Sequence, residues 1–335
     1  MRRLLLVHCL LFFVLISRSQ QRPHYTQYVL NNYILNPALS GIENYTDVKL
    51  SARDQWIGLN GAPRTVYFSI HGPIGKKDYK STATSFDMEG ENPRGRSYWE
   101  DYTASDPHHG IGFSVISDRT GLYQHVTADV SYAYHIGISA QTNIALGFSG
   151  GFAQVSYDRS KATPVDPNDP ALSNGDIHRI VPDLNAGIWV YSADYFIGFA
   201  AQQVLPQNIE FGGTSGFKLI PHYFISTGYR FLLTDDINAL PSIMIKCIPD
   251  APNKTQFDVN LKMQYRDQVW VGCSYRLEDG YAAMVGMKVG KNFNVGYSYD
   301  FTTTDLNTVS RGTHEIILGF LLGNRYDDSC PRNVW

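Results

Sequence analysis

The chain has 335 residues, of which 43% are hydrophobic, 13% aromatic and 18% charged, with 29 Gly and 22 Tyr. Residues 1–19 read as a secretory signal; without them 25 basic residues (28 − 3) face 31 acidic ones, a formal charge of −6. That balance excludes nucleic acid as a partner, and plentiful aromatics with modest charge exclude a disordered chain.

The signal consists of the basic start Arg2-Arg3, the apolar stretch Leu4 to Ile16, and small residues Ser17 and Ser19 ahead of a cut before Gln20. Cys9 lies inside the apolar stretch and is not read as a lipoprotein cysteine. Beyond Ile16 no apolar run approaches the ~18–20 residues a spanning helix needs, which excludes a helical membrane protein. Cys247, Cys273 and Cys330 remain, too few and odd in number for a disulfide framework.

Residues 20–45 carry turn chemistry at Asn36, Pro37 and Gly41 rather than strand chemistry. From residue 46 the chain reads as alternation. Strands are predicted near 46–54, 64–73, 110–118, 124–138, 143–157, 183–191, 194–203, 221–232, 239–247, 256–265, 267–277, 280–289, 292–301 and 313–322. In the stretch 292–301, Phe293, Val295, Tyr297, Tyr299 and Phe301 fall on one face and Asn292, Asn294, Gly296, Ser298 and Asp300 on the other.

A soluble sandwich also alternates. Three features point instead to an all-β fold, a transmembrane antiparallel β-barrel of about 14 strands. Charges stand mid-strand on the polar faces (Asp129, Lys246, Asp258, Lys262, Lys288, Asp300), and the apolar faces are rich in Tyr, Phe and Val. The strands also reach the length of a tilted spanning strand, about 9–12 residues. Loop lengths agree with that parity: short turns at one end, longer loops such as 55–63, 158–182 and 203–220 at the other. Residues 74–109 break the trend as a long polar connection on the short-turn side; a periplasmic appendage is favoured over a hidden strand pair that would change the count. The predicted organisation is therefore a signal at 1–19, an N-terminal segment at 20–45, a barrel at 46–323 and a periplasmic tail at 324–335. Fourteen strands enclose a lumen that wall side chains alone do not fill, and residues 20–45 are the natural plug candidate.

Several runs together resemble the PorP/SprF family of outer-membrane proteins, which belongs to the type IX secretion and gliding motility machinery of Bacteroidota. They begin with Gln27, Tyr28, Asn31, Asn36, Pro37, Ala38 and Gly41. The most characteristic run is Arg53, Gln55, Trp56, Gly58, Gly61, Ala62, Pro63 and Thr65. Gly110-x-Gly112, Asp118, Gly121, Pro182-Asp183, His222-Tyr223, Gly228-Tyr229-Arg230, Pro241-Ser242 with Lys246, Gly296 to Asp300, and Gly312 to Ile316 complete it. The resemblance spans nearly the whole mature chain; the length of the 76–109 stretch departs from it. It implies a non-catalytic barrel without cofactor that helps secrete or anchor a large surface adhesin. Its partners would be the adhesin's C-terminal domain and periplasmic and outer-membrane components of the machine. Arg53, Gln55, Trp56, Gly58, Gly61, Ala62 and Pro63, at the first external turn, would be partner-binding, with Trp56 as an anchor. The competing reading of that run is a turn that locks the first hairpin, and the sequence leaves both open. A passive channel for small solutes is the alternative function.

Other motifs carry less. Gly147-Phe148-Ser149-Gly150-Gly151 matches a nucleophile elbow, but it sits inside an alternating strand where a strand-to-helix turn is required. It is the main feature pointing to an outer-membrane enzyme. His108-His109 lacks a third metal ligand by spacing and reads as a solvated loop end. Asp166, Asp169, Asn174 and Asp176 follow no Ca²⁺-loop spacing. Cys247 and Cys273 fall on lipid-facing strand faces.

Overall fold

The computed structural model describes residues 26–76, 103–158, 177–211, 214–234, 236–249, 255–266, 268–290 and 292–323. The strands, in chain order, are β1 (Thr46–Asp54), β2 (Arg64–Ile74), β3 (His108–Thr120), β4 (Tyr123–Gly137), β5 (Asn143–Tyr157), β6 (Ile177–Tyr191) and β7 (Tyr195–Gln202). There follow β8 (Gln207–Phe211), β9 (Thr214–Leu219), β10 (His222–Tyr229), β11 (Phe231–Thr234), β12 (Ile237–Cys247) and β13 (Gln256–Tyr265). Last come β14 (Val269–Arg276), β15 (Gly280–Val289), β16 (Phe293–Thr302) and β17 (Thr313–Leu322).

All but β8 and β9 belong to one 15-stranded antiparallel sheet. Since β10 and β11 are two lengths of one stave, the sheet has fourteen staves and closes on itself. The first meets the last through rungs from Thr46↔Leu322 to Asp54↔His314, and β10 meets β12 from Tyr223↔Cys247 to Gly228↔Ser242. Closure follows from the medium. In lipid an unpaired backbone N–H or C=O costs several kcal/mol, so a spanning sheet has no open edge.

Alternation sorts the side chains. On β1, Asp47, Lys49, Ser51 and Arg53 are buried inside the ring, while Leu50 is outward and exposed. Val130, Phe148, Phe152, Ile197, Val271 and Tyr281 stand outward, each more than half exposed. A belt of exposed apolar side chains running round the molecule is a lipid-facing surface. Cys247 and Cys273 are free and lie on strands of this wall, half-buried and exposed respectively.

Strands β3 to β6 are 13–15 residues long, against 8–11 for the other full staves. They stand taller than the rest at the loop end. There the predicted ends fall short on β3, β4 and β6, by two, one and six residues, while β5 ends at 157 as predicted. Strand β6 starts at Ile177 rather than 183, because β5 offers it rungs as far as Tyr157↔Ile177. Pro182 lies beyond the last β6–β7 rung, Ala186↔Ala201, where a missing N–H costs no bond on that side. The predicted loop 203–220 contains the unforeseen β8–β9 hairpin. The stave expected at 221–232 breaks at Arg230, whose N–H turns aside to the Asp194 carbonyl at 2.6 Å.

Residues 1–25, 77–102, 159–176 and 324–335 lie outside the described residues. With them fall the predicted signal, most of the long connection, the Asp166–Asp176 group and the predicted tail. Antiparallel alternation nevertheless places Ile74 and His108 at the short-turn end, where β1 begins.

Candidate functional site

Inside the ring, Thr26–Tyr45 runs from the loop end to the short-turn end. Three short 3-10 turns, Gln27–Leu30, Asn32–Ile34 and Pro37–Leu39, compact it. Asn36 caps the last turn, its Oδ1 accepting the Ala38 N–H at 3.0 Å, with Pro37 preset at the first position. Tyr28, Val29, Leu30, Tyr33, Ile34, Leu35, Ala38, Leu39 and Ile42 are all buried. These residues form two buried clusters with apolar side chains of the wall itself, Trp189, Phe196 and Leu240 in one and Tyr67, Phe224, Met244 and Trp270 in the other.

The wall meets it with two different surfaces. From β3 to β6 it presents glycines at inward positions. A Cβ on Gly110 would land on the Ser40 carbonyl, one on Gly147 on the Ala38 backbone, and one on Gly187 on the Asn36 amide. At these positions only a bare backbone admits the segment. Asn36 uses the space at Gly187 to donate from Nδ2 to the carbonyls of Ile188 and Phe199, both at 3.1 Å, bridging β6 and β7 from within. Gln202 Nε2 donates to the Ile34 and Leu35 carbonyls at 2.9 Å. Tyr33 OH lies 2.7 Å from Ser131 Oγ, and Asn31 Nδ2 donates to Ser69 Oγ at 3.1 Å.

The opposite wall is charged. At the loop end Arg53 donates from Nη1 to Glu315 Oε2 at 3.0 Å and from Nη2 to Asp300 Oδ2 at 2.7 Å. Thr26 completes the knot, its N–H donating to Glu315 at 3.0 Å and its Oγ1 accepting from Arg53 at 2.8 Å. Asn260 Nδ2 donates to Tyr28 OH at 2.6 Å, and Arg276 pairs with Asp258 and Asp279. Buried ions persist only when paired in this way. At the short-turn end, outside the strands, the Asp236 carboxylate beside Arg266 holds that guanidinium above its ordinary range.

Above the Arg53 knot lies the outer rim. Residues 55–63 form a closed turn, with Gln55 N–H donating to the Pro63 carbonyl at 2.9 Å. Trp56, Gly58 and Gly61 adopt left-handed backbone, at φ 50°, 106° and 73°. The turn is stitched to its neighbours: Ile57 N–H to the Gly312 carbonyl at 2.9 Å, Arg311 N–H to the Ile57 carbonyl at 2.7 Å, and Gly121 N–H to the Gly61 carbonyl at 2.8 Å. Three loops are thereby locked into one platform. Beside it a shallow open depression is lined by Gln55, Trp56, Arg276, Asp279, Asp300 and Thr313, among others.

The residues singled out from the sequence therefore divide. Gln27 opens the first 3-10 turn, and Tyr28, Asn31, Asn36, Pro37 and Ala38 dock in the lumen. Arg53 is 2% exposed and committed to the knot, so it offers nothing to an outside partner. Gln55, Trp56, Gly58, Gly61, Ala62 and Pro63 form the rim. The two sequence runs meet where Arg53 holds Thr26. Sequence reasoning missed the seat made by Gly110, Gly147 and Gly187; the available signal was that these glycines share the inward phase of their strands. His108 corrects the solvated-loop reading. It is the first residue of β3, buried inward and stacked on His135 with centroids 4.5 Å apart, because the ladder continues two residues past the predicted start. His109 points outward, its Nδ1 2.6 Å from Tyr132 OH. Gly147–Gly151 stays within β5, where Ser149 accepts a bond from Asn185 Nδ2 at 2.9 Å. Among the described residues no group of three His, Cys, Asp or Glu is placed to hold a metal.

Comparison with known proteins follows the same lines. A family model described as the type IX secretion system membrane protein PorP/SprF matches residues 17–320. The structure is similar to the CymD monoaromatic hydrocarbon channel, at 9% identity and TM-score 0.50, covering 87% of this chain and 91% of that one. It is also similar to the Ralstonia pickettii toluene transporter TbuX, at 9% identity and TM-score 0.49, covering 86% and 92%. The first likeness speaks for the barrel alone. The search of curated proteins finds no match.

Proposed function

This chain belongs to the PorP/SprF family of type IX secretion system membrane proteins, and from that premise we propose that it is a non-enzymatic outer-membrane barrel that helps secrete or anchor a large surface adhesin. The adhesin's C-terminal domain docks on the outer rim, and periplasmic and outer-membrane components of the machine, including those of gliding motility, engage the barrel. The observation that carries the reading is the filled lumen. A wall of fourteen staves whose interior is occupied by its own buried segment is built as a frame, and its rigid loop platform is the surface left for contact. Trp56, half-buried with its backbone held at positive φ, is the anchor of that platform. A permanently open solute channel fits the buried interior less well.

The test is isolation of tagged protein from its native membrane in mild detergent, followed by mass spectrometry. A large secreted adhesin or periplasmic secretion proteins are expected, with recovery falling severalfold for Trp56→Ala at unchanged barrel stability. Repeated isolation of the barrel alone refutes the proposal.

A further inference from the structure

At the short-turn end three histidines close on the Ser40–Gly41 turn of the N-terminal segment. Gly41 N–H donates to His71 Nδ1 at 3.3 Å, which requires a lone pair on that nitrogen. His135 Nε2 lies 2.8 Å from the Ser40 carbonyl, an acceptor only, so the proton sits on Nε2. Its Nδ1 is 3.1 Å from Tyr191 OH. His108 Nδ1 lies 2.8 Å from the Asp106 carbonyl, so it too carries its proton there, and its ring stacks on His135 at 5°. All three rings are buried. The hydrogen-bond pattern therefore requires a lone pair on His71 Nδ1 and places a proton on His135 Nε2 and on His108 Nδ1.

The groups facing this cluster come from every neighbouring element. Strand β1 contributes Asp47, whose Oδ2 is 3.8 Å from His71 Nε2, and Lys49, which is paired to Asp47. Beyond β2, Lys76 Nζ donates to the Ile42 carbonyl at 2.7 Å. Strand β3 adds His109, which faces outward, β4 adds Asp129 beside Tyr33, and β6 adds Tyr191. The segment itself brings Tyr33, its ring 4.4 Å from His71, and Glu43. A small cavity of about 10 Å³, room for about one water, lies alongside, lined by Asn31, Asn32, Glu43, Asp47, Lys49 and His71.

We propose that His71, His108 and His135 form a proton-sensitive latch on the Ser40–Gly41 turn, so that acidification frees the N-terminal segment from its seat and opens the lumen. A second proton on His71 Nδ1 turns an acceptor into a donor facing the Gly41 N–H. Protons on both His108 and His135 set two like charges face to face. Once the segment leaves and water enters, each ring takes up its proton freely. The seat is thus favoured above the ordinary histidine range, near pH 6.5, and is lost below it.

The test is conductance of the full chain in planar bilayers at pH 7.5 and pH 5. Open probability should rise about 30-fold for each proton taken up between pH 6.5 and 5. The variant His71→Gln/His108→Gln/His135→Gln, checked for folding by heat-modifiable gel mobility, should lose that rise. His71→Gln alone, which leaves the stacked pair intact, should lose part of it. As a second readout, Leu39→Cys in a chain whose other cysteines are replaced by alanine should react at pH 5 and not at pH 7.5 with 4,4′-dithiodipyridine, a pyridyl disulfide whose protonated leaving group keeps it reactive toward thiols in acid. An acid rise of equal size in the triple variant overturns the proposal. So does a parent chain that stays silent and unlabelled at pH 5.

Discussion

Gly110→Ala tests whether the N-terminal segment seals the barrel. Its new methyl falls on the Ser40 carbonyl, backbone against backbone, so no rotamer change relieves it. The Ser40–Gly41 turn must move off the wall, and with it go three buried bonds: Ser40 O to His135, Gly41 N–H to His71, and Ser40 Oγ to Ser131 at 2.8 Å. At about 1 kcal/mol each, the seated state loses ~3 kcal/mol, a shift of about 100-fold toward the unseated one. Single-channel recording in planar bilayers at neutral pH reads this directly, as openings absent from the parent. Gly150→Ala is the control. Gly150 lies in the outward phase of β5, its Cβ meeting only the flexible Leu184 side chain at 3.2 Å, and the lumen should stay sealed. A folded Gly110→Ala barrel as silent as the parent, or equal openings in Gly150→Ala, would refute the seat.

Three further outcomes follow from the wall. Arg53→Ala removes the guanidinium that Glu315 and Asp300 share, leaving Asp300 only that of Arg276 at 4.0 Å, and should cost ~3–5 kcal/mol, seen as a lower urea midpoint in lipid vesicles; an unchanged midpoint contradicts the knot. Val130→Lys puts a charge on a side chain 63% exposed in the apolar belt and should cost ~2–4 kcal/mol in the same assay. Gln124→Lys, outward near the loop end of β4, should be close to neutral, and equal effects would place the lipid elsewhere. Gly61→Val forces a branched residue to φ 73° in the rim turn and should cost ~1–3 kcal/mol while loosening the platform, measurable as faster proteolysis between residues 55 and 63.

Much of the wall was legible. Thirteen of the fourteen predicted strands lie on unbroken staves, with ends shifted by a few residues, because one face against lipid and one against a polar interior imposes a strict period of two. Where the prediction erred, a tertiary partner was responsible. Strand β6 runs past Pro182 because β5 is there to pair with it; Arg230 leaves its stave because Asp194 stands opposite. The candidate site was legible only in part. Asn36-Pro37 announced a turn, and it is one. Arg53 and Trp56 stand three residues apart in one motif, yet one points into the lumen and the other lies at the rim; alternation could suggest the first and nothing local could place the second.

By itself the sequence determined a closed, lipid-facing ring of alternating strands, since hydrophobic phase along each strand is a local property. Only the tertiary structure decided what fills it. The inward glycines on β3 to β6 mean nothing until Asn36 to Gly41 is laid against them, and Arg53 finds Glu315 from 262 residues away. Such contacts depend on shape and charge across the lumen, and no window of neighbouring residues contains them.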